Sequence, residues 1–405
     1  MMKRKLLMVF GAVIGVMVLA VAVCAVTGYV PGPQDFGALA GIFGGGGAVL
    51  GLGLTIGAPG GNPQRQLFPF REHTRQKMNS VGTLTYSLGG VQYLTLPKVG
   101  YLSKVYLRFN GVITSTTGGA DTITYAKFGP WSVFRDIQLD LNSGKQVLCK
   151  LSGYELFLRN SIGKKSARPD QQADADFYAA PTTGSAVAFR QTVMIPVAVS
   201  DGMNFQVGLI NLQAPELQCN LTVAFANALT DIGTNIASLT GTVDVAYEYY
   251  EVPDPTQVMQ PPVVLHKLIS QPQAVLSTGR NIVEIPRGGD LMRVIQVLEL
   301  NGAKSDSYDS VECWLNKTQQ IYKIDRWNLK YRERAYYGYN LPTGVAVWDF
   351  QNSWDHPEES DMRDVLDTEA VTTTEFYTNV TAGATLGSNN NFIHTVREFL
   401  QIPVG

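Results

Sequence analysis

The chain of 405 residues has only four cysteines, Cys24, Cys149, Cys219 and Cys313, and no two of them stand at the short spacing of a zinc site or redox motif. That disfavours a zinc module and a disulfide-stapled scaffold. Histidine is as scarce: His73, His266, His356 and His394 form no ligand pair, and none adjoins a nucleophile motif. Neither a Walker loop nor a Gly-x-Ser-x-Gly elbow occurs. No catalytic, cofactor-binding or metal-ligating residue is therefore assigned. An excess of one charge is also lacking, since 32 basic and 34 acidic residues leave a net charge of −2. No bulk field steers the chain toward nucleic acid or an anionic surface.

The densest acidic stretch, Asp355, Glu358, Glu359, Asp361, Asp364 and Asp367, lacks the glycine and the ligand spacing of an EF-hand loop. It reads as a solvated loop or subunit rim rather than a calcium site or a glycosidase carboxylate pair. Cys149 and Cys219 fall on apolar-alternating segments, where a thiol behaves as a small buried hydrophobe.

What is present is divided sharply along the chain. Residues 1–78 form a hydrophobic arm with two uncharged or nearly uncharged runs, 6–27 and 36–56. The first, from Leu6 through Phe10 and Leu19, would make about 33 Å of helix, enough to cross a bilayer core of about 30 Å. Lys3, Arg4 and Lys5 precede it. This could also be a secretory signal, with a cleavage site near Val23-Cys24-Ala25, but the apolar run exceeds the usual signal core. The second run contains Phe36, Ile42, Phe43, Leu50 and Ile56, with glycines at 37, 41 and 45; Gly11 and Gly15 repeat that four-residue spacing in the first. Such spacing lets helices approach closely in lipid. Basic residues flank both outer ends, a pattern suited to a membrane hairpin with both ends cytoplasmic. The alternative is a glycine-rich linker that does not span, because glycine weakens helices.

From about residue 79 the pattern becomes period two. Val105, Leu107 and Phe109 alternate with Lys104, Arg108 and Asn110; Ile137, Leu139 and Leu141 alternate with Asp136, Gln138 and Asp140. Leu217 to Phe225 and Val243 to Tyr249 repeat the pattern. These are half-buried strands, and their number predicts packed antiparallel sheets. Ser152-Gly153-Tyr154-Glu155 reads as a capping box opening a short helix through Asn160. Four prolines between residues 253 and 262 mark a stiff linker. The expected organisation is a first lobe over 79–252 and a second over 263–405. Arg293-Val294-Ile295-Gln296 echoes Arg135-Asp136-Ile137-Gln138, and after each copy comes a helix, the second at about Arg326 to Tyr337. The order suggests duplicated lobes.

Two blocks carry a family resemblance. Gly100 to Phe109 is followed by Phe128-Gly129-Pro130-Trp131-Ser132-Val133-Phe134-Arg135-Asp136-Ile137-Gln138, and later by Leu341-Pro342-Thr343-Gly344-Val345-Ala346-Val347-Trp348-Asp349. In this order they resemble the double jelly-roll major capsid proteins of tectivirus-like phages, icosahedral viruses with a membrane beneath the shell. The resemblance covers about Val81 to Pro403. It implies an all-β fold of two tandem jelly rolls with short helical insertions, and a structural role without enzymatic activity. It further implies trimers with six rolls that tile a lattice in the virion, an internal membrane, and vertex and minor capsid partners; assembly would take place in host cytoplasm or at a membrane. The arm departs from the family, whose N-termini are generally short amphipathic or extended segments.

Arg326, Lys330, Arg332 and Arg334 interleave with Trp327, Tyr331, Tyr336 and Tyr337, a mixture that suits base stacking or a protein interface. The neutral body favours a subunit interface through Trp327, Tyr331, Arg334 and Tyr336, and no specific nucleic-acid binding is expected. Two readings of other classes stay open: a membrane-anchored surface β-sandwich that binds glycan or protein, and a carbohydrate-active or amidase enzyme built from paired jelly rolls.

Overall fold

A computed structural model describes residues 74–116, 122–162, 184–200, 206–254, 261, 263–351, 365–387 and 390–402. The membrane-arm residues from Lys3 to Ile56, linker positions 255–260 and 262, and the acidic residues from 355 to 364 lie outside the described residues.

Sixteen main strands follow one another in two sets of eight. The first set is β1 (Gln76–Thr85), β2 (Val91–Thr95), β3 (Tyr101–Ser115), β4 (Phe134–Leu141), β5 (Gln146–Leu151), helix α1 (Gly153–Ser161), β6 (Ala186–Pro196), β7 (Cys219–Phe225) and β8 (Ile236–Tyr250). The second is β9 (Leu265–Ala274), β10 (Gly279–Ile285), β11 (Asp290–Leu300), β12 (Tyr308–Leu315), β13 (Gln319–Asp325), helix α2 (Arg326–Tyr337), β14 (Val345–Asp349), β15 (Thr374–Val380) and β16 (Phe392–Gln401). β1 begins three residues before the lobe boundary read at 79, and Gln76 already pairs with Tyr250.

Each set winds identically. The first forms sheets ordered β1-β8-β3-β6 and β2-β7-β4-β5; the second forms β9-β16-β11-β14 and β10-β15-β12-β13. Antiparallel pairing in that order is the winding of a jelly roll, and it occurs twice. The helices occupy equivalent places, each after the fifth strand of its roll. The echoed letters do not: Arg135 to Gln138 lies on β4, whereas Arg293 to Gln296 lies on β11, the counterpart of β3. The echo is a coincidence between non-equivalent strands.

Period two explains the first core. Val105, Leu107, Phe109, Ile137, Leu139, Leu221, Val223, Val243 and Val245 are fully buried, and their polar alternates face outward. Phe109 sits at the centre of edge-on aromatic contacts with Tyr86, Phe134 and Phe189 at 5.4 to 6.2 Å. Asp140 breaks the alternation: it is buried, and accepts hydrogen bonds from Gly144 N–H at 2.8 Å and from the Gln138 amide. It thereby fastens the β4–β5 turn, where Asn142, Ser143 and Gly144 have positive φ.

The rolls share a sheet. β5 pairs in parallel with β9, Cys149 opposite Leu268 and Lys150 opposite Ile269, so β2-β7-β4-β5 continues into β9-β16-β11-β14. β11 is buried without interruption from Leu291 to Leu300. Val294 and Leu298 belong to the second roll's core, whereas Ile295 and Val297 join the apolar cluster of the first. A strand covered on both faces loses the two-residue alternation.

Candidate functional site

The Phe128-Gly129-Pro130 block forms a single 3-10 turn over Gly129–Val133 that leads into β4. Gly129 has φ 61° and donates to Ala126 O at 2.7 Å, while Trp131 stacks on Phe157 of α1 with centroids 4.3 Å apart. Phe128 turns the other way, toward Tyr154 at 4.9 Å and, edge-on, His394 of the second roll at 5.7 Å. Arg135 is exposed and its guanidinium donates to Asn227. The α1 capping box forms as read, with Ser152 and Glu155 satisfying each other's backbone N–H groups.

The second matched block is a turn in which Val345 N–H donates to Pro342 O at 3.2 Å. Gly344 has φ 80° and donates to Asp306 Oδ1 at 2.8 Å, and a Cβ there would lie 2.7 Å from Leu298 O. Only glycine meets both demands without strain. Lys330 ties the turn to α2, bonding Val345 O at 2.9 Å and Asp306 Oδ1 at 3.2 Å.

Between the rolls lies a buried charge network. Glu398 of β16 is 1% exposed; it accepts from Arg159 of α1 at 3.2 Å, Arg293 of β11 at 3.0 Å and His266 of β9 at 3.0 Å. The other His266 ring nitrogen faces Pro196 O of the first roll at 3.0 Å. A carbonyl and a carboxylate both accept, so both ring nitrogens must carry hydrogen for both contacts to be bonds. Burial alone would push the Glu398 carboxyl up, but Arg159, Arg293 and His266 more than offset it and hold the carboxyl well below the usual carboxylate range. Arg293 is further clamped by Asp349, with Nε 3.0 Å and Nη2 2.8 Å from Oδ2.

A second bridge joins Lys127 of the first roll to Glu299 of β11, which also bonds His394 at 3.1 Å. It borders a cleft of about 680 Å³ at the seam, lined by Phe128, Tyr154, Pro272 and Val297 with Asp136, Lys150 and Glu155 at polar positions.

The α2 residues separate by face. Trp327 and Tyr331 are 74% and 75% exposed, and Arg334 is exposed; their spacing of four and three residues places them on one stripe. Arg326 lies over the Trp327 ring at 4.7 Å. Tyr336 is half-buried on a different face, edge-on to Tyr337 at 5.1 Å. The network around Glu398 escaped the sequence reading, although one signal existed: Glu398 holds the inward register of Val396 and Leu400, where a charge needs partners.

No family model matches the chain, and no curated protein matches it. Among solved structures it is similar to the major capsid protein of Sulfolobus turreted icosahedral virus, with TM-score 0.62 and 14% identity over 81% of this chain and 97% of that one. A chain of the atomic structure of that virus gives 0.61 and 14%, over 81% and 91%. The PBCV-1 virus capsid gives 0.56 and 12%, over 81% and 93%. At these identities the likeness is one of fold. The chain carries the double jelly-roll architecture found in those viral capsid proteins.

Proposed function

We propose that the chain is a viral major capsid protein that self-assembles into an icosahedral shell. What carries the reading is the edge-to-edge union of two complete rolls in one chain, with the likeness extending over nearly the whole length of a known capsid protein. Joining the rolls covalently fixes the orientation of neighbouring lobes and reduces the number of associations needed to complete a tile. The tile in this reading is a trimer of six rolls, as in tectivirus-like capsids. The α2 stripe of Trp327, Tyr331 and Arg334 forms part of the contact between copies; aromatic and arginine side chains are enriched in such contacts. The hydrophobic arm, with its runs 6–27 and 36–56, tethers the shell to an internal membrane; vertex and minor capsid proteins complete it. The protein resides in the virion, after assembly in cytoplasm or at a membrane.

The test is light scattering coupled to gel filtration on residues 67–405 without detergent, a span that keeps β1 whole. A trimer weakened by Trp327→Ala with Tyr331→Ala is the expected result. A clean monomer overturns the capsomer reading.

A further inference from the structure

We propose that the outer face of the β2-β7-β4 sheet in the first roll holds a binding site for a neutral saccharide, centred on Tyr93. The register builds it. Thr222 of β7 stands opposite Tyr93 on one side and Gln138 on the other, and Asn220 stands between Thr95 and Asp140. Two parallel rows therefore cross three strands on the face opposite the buried Leu221 and Leu139. Strand spacings of about 4.8 Å and a two-residue step of about 6.8 Å give a platform of about 10 by 7 Å, the footprint of a disaccharide. The rows line a groove of about 440 Å³, with Gln218 and Ser143 also on its wall.

The lining chemistry selects the ligand. Tyr93 stands 74% exposed on a strand, with its ring offered to solvent. Among the described residues no lysine or arginine lines the groove, which argues against phosphate, sulfate or nucleic acid. The nearest cation by register, Lys150 opposite Gln138, lines the seam cleft instead. The one carboxylate among the described lining residues, Asp140, is buried and already bonded to Gly144 N–H and to the Gln138 amide at 3.1 Å. Apart from Leu94 and Gly144, the remaining side chains are amides and hydroxyls, which give a ligand many hydrogen-bonding partners. A pyranose presents C–H groups on its faces and hydroxyls around its rim. The C–H face meets the electron-rich face of an aromatic ring, and the rim meets groups that both donate and accept. The Thr95 hydroxyl donates to Asn220 Oδ1 at 3.0 Å, so the Asn220 and Gln138 amides are held before any ligand arrives. Preorganisation of this kind lowers the cost of binding.

The proposal goes beyond the capsid reading and does not depend on it. It is tested on the full chain in a detergent without a sugar headgroup, by saturation-transfer NMR with lactose, maltose, cellobiose and N,N′-diacetylchitobiose, and with a heparin oligosaccharide as anionic control. Transfer to at least one neutral disaccharide is expected. Tyr93→Ala should weaken it about tenfold or more, as expected from loss of roughly 1.4 kcal/mol of stacking, and Tyr93→Trp should retain it. Gln138→Ala should weaken it too; Asp140 loses one donor but keeps Gly144 N–H, so the variant should fold at a somewhat lower melting temperature and keeps the test open if the Tyr93 variant misfolds. Absence of transfer to all four, preference for heparin, or binding unchanged in both alanine variants overturns the proposal. So does a Tyr93→Ala chain whose oligomeric mass changes while saccharide binding persists, because the face then belongs to a contact between copies.

Discussion

Replacing Glu398 with Gln removes one charge and almost no volume from the seam between the rolls. In the parent, one carboxylate, 1% exposed, receives Arg159, Arg293 and His266. Breaking a buried ion pair by deleting one partner costs about 3–5 kcal/mol, because the other charge is left uncompensated. Two features place this case at the lower end. Arg293 keeps its two bonds to Asp349, and the Arg159 side chain is 15% exposed, so water can reach it. The expected loss is about 3 kcal/mol in urea unfolding of residues 67–405 at pH 7. The sign with pH follows from the direction of the Glu398 shift. A carboxyl held low in the fold contributes stability that is fully present above the unfolded value of about 4.3, and that is lost as pH falls through the folded value. The carboxylate's own ionisation thus takes nothing from this contribution between pH 8 and pH 5, and the contribution declines in more acid solution. A loss below about 1 kcal/mol at pH 7 refutes the assignment of Glu398 as the central charge.

Three further outcomes are expected. Burial pushes the Glu333 carboxyl up to about 7, and its Oε2 has no hydrogen-bond partner among the described residues. As pH rises from about 4.5 to about 7 the unfolded chain releases this proton and the fold does not, so stability should fall by roughly 3 kcal/mol and then level off. Glu333→Gln should abolish that fall and exceed the parent in stability at pH 8, as read by denaturant midpoints; an unchanged pH profile counts against it. Burial pushes the Cys219 and Cys313 thiols up to about 12 and raises Cys149 as well, so residues 67–405 should not react with a thiol reagent at pH 8 until unfolded. Rapid labelling of the native protein would refute their burial. Gly153→Ala would set a Cβ 2.3 Å from Trp131 O and 2.8 Å from Phe134 Cβ, and should cost about 1–3 kcal/mol despite alanine's better helix propensity. A melting temperature equal to the parent's would show that α1 shifts freely.

Much of each roll was legible because local rules and tertiary structure agree. Val105, Leu107 and Phe109 alternate in sequence and are buried in space; Ser152 and Glu155 signal a cap and form one; α2 spans Arg326–Tyr337 behind its Asp325 cap. Pairing is another matter. Nothing in the letters of Cys149 and Leu268 announces that β5 and β9 run in parallel side by side, because a partner strand contributes only backbone hydrogen bonds at that edge. The duplicated order held, but the letter echo did not, for a related reason. Arg293 to Gln296 resembles Arg135 to Gln138 letter by letter, but β11 is apolar on both faces whereas β4 exposes Arg135, so a shared tetrapeptide serves two different environments. The Tyr93 face was missed because a strand with exposed Val91, Tyr93 and Thr95 looks like an ordinary solvent edge until the register supplies Thr222 and Asn220 beside it.

The union of the rolls rests on more than the shared sheet. Two residue pairs of parallel ladder are a short junction, and parallel pairing is the weaker kind per residue. Three features brace it. Ile295, Val297, Val347 and Val396 of the second roll join the first roll's apolar cluster, so bending at the seam would expose core to water. Arg159 and Pro196 O on one side meet Glu398 and His266 on the other, so the same motion would also strand buried charges. Lys127 of the first roll also reaches Glu299 of the second, a further ion pair across the seam. A hinge between jelly rolls would let a lattice relax by flexing within each chain. Apolar burial and ion pairing at this seam oppose such a hinge, so in the shell proposed above any adjustment of curvature would fall to the contacts between copies.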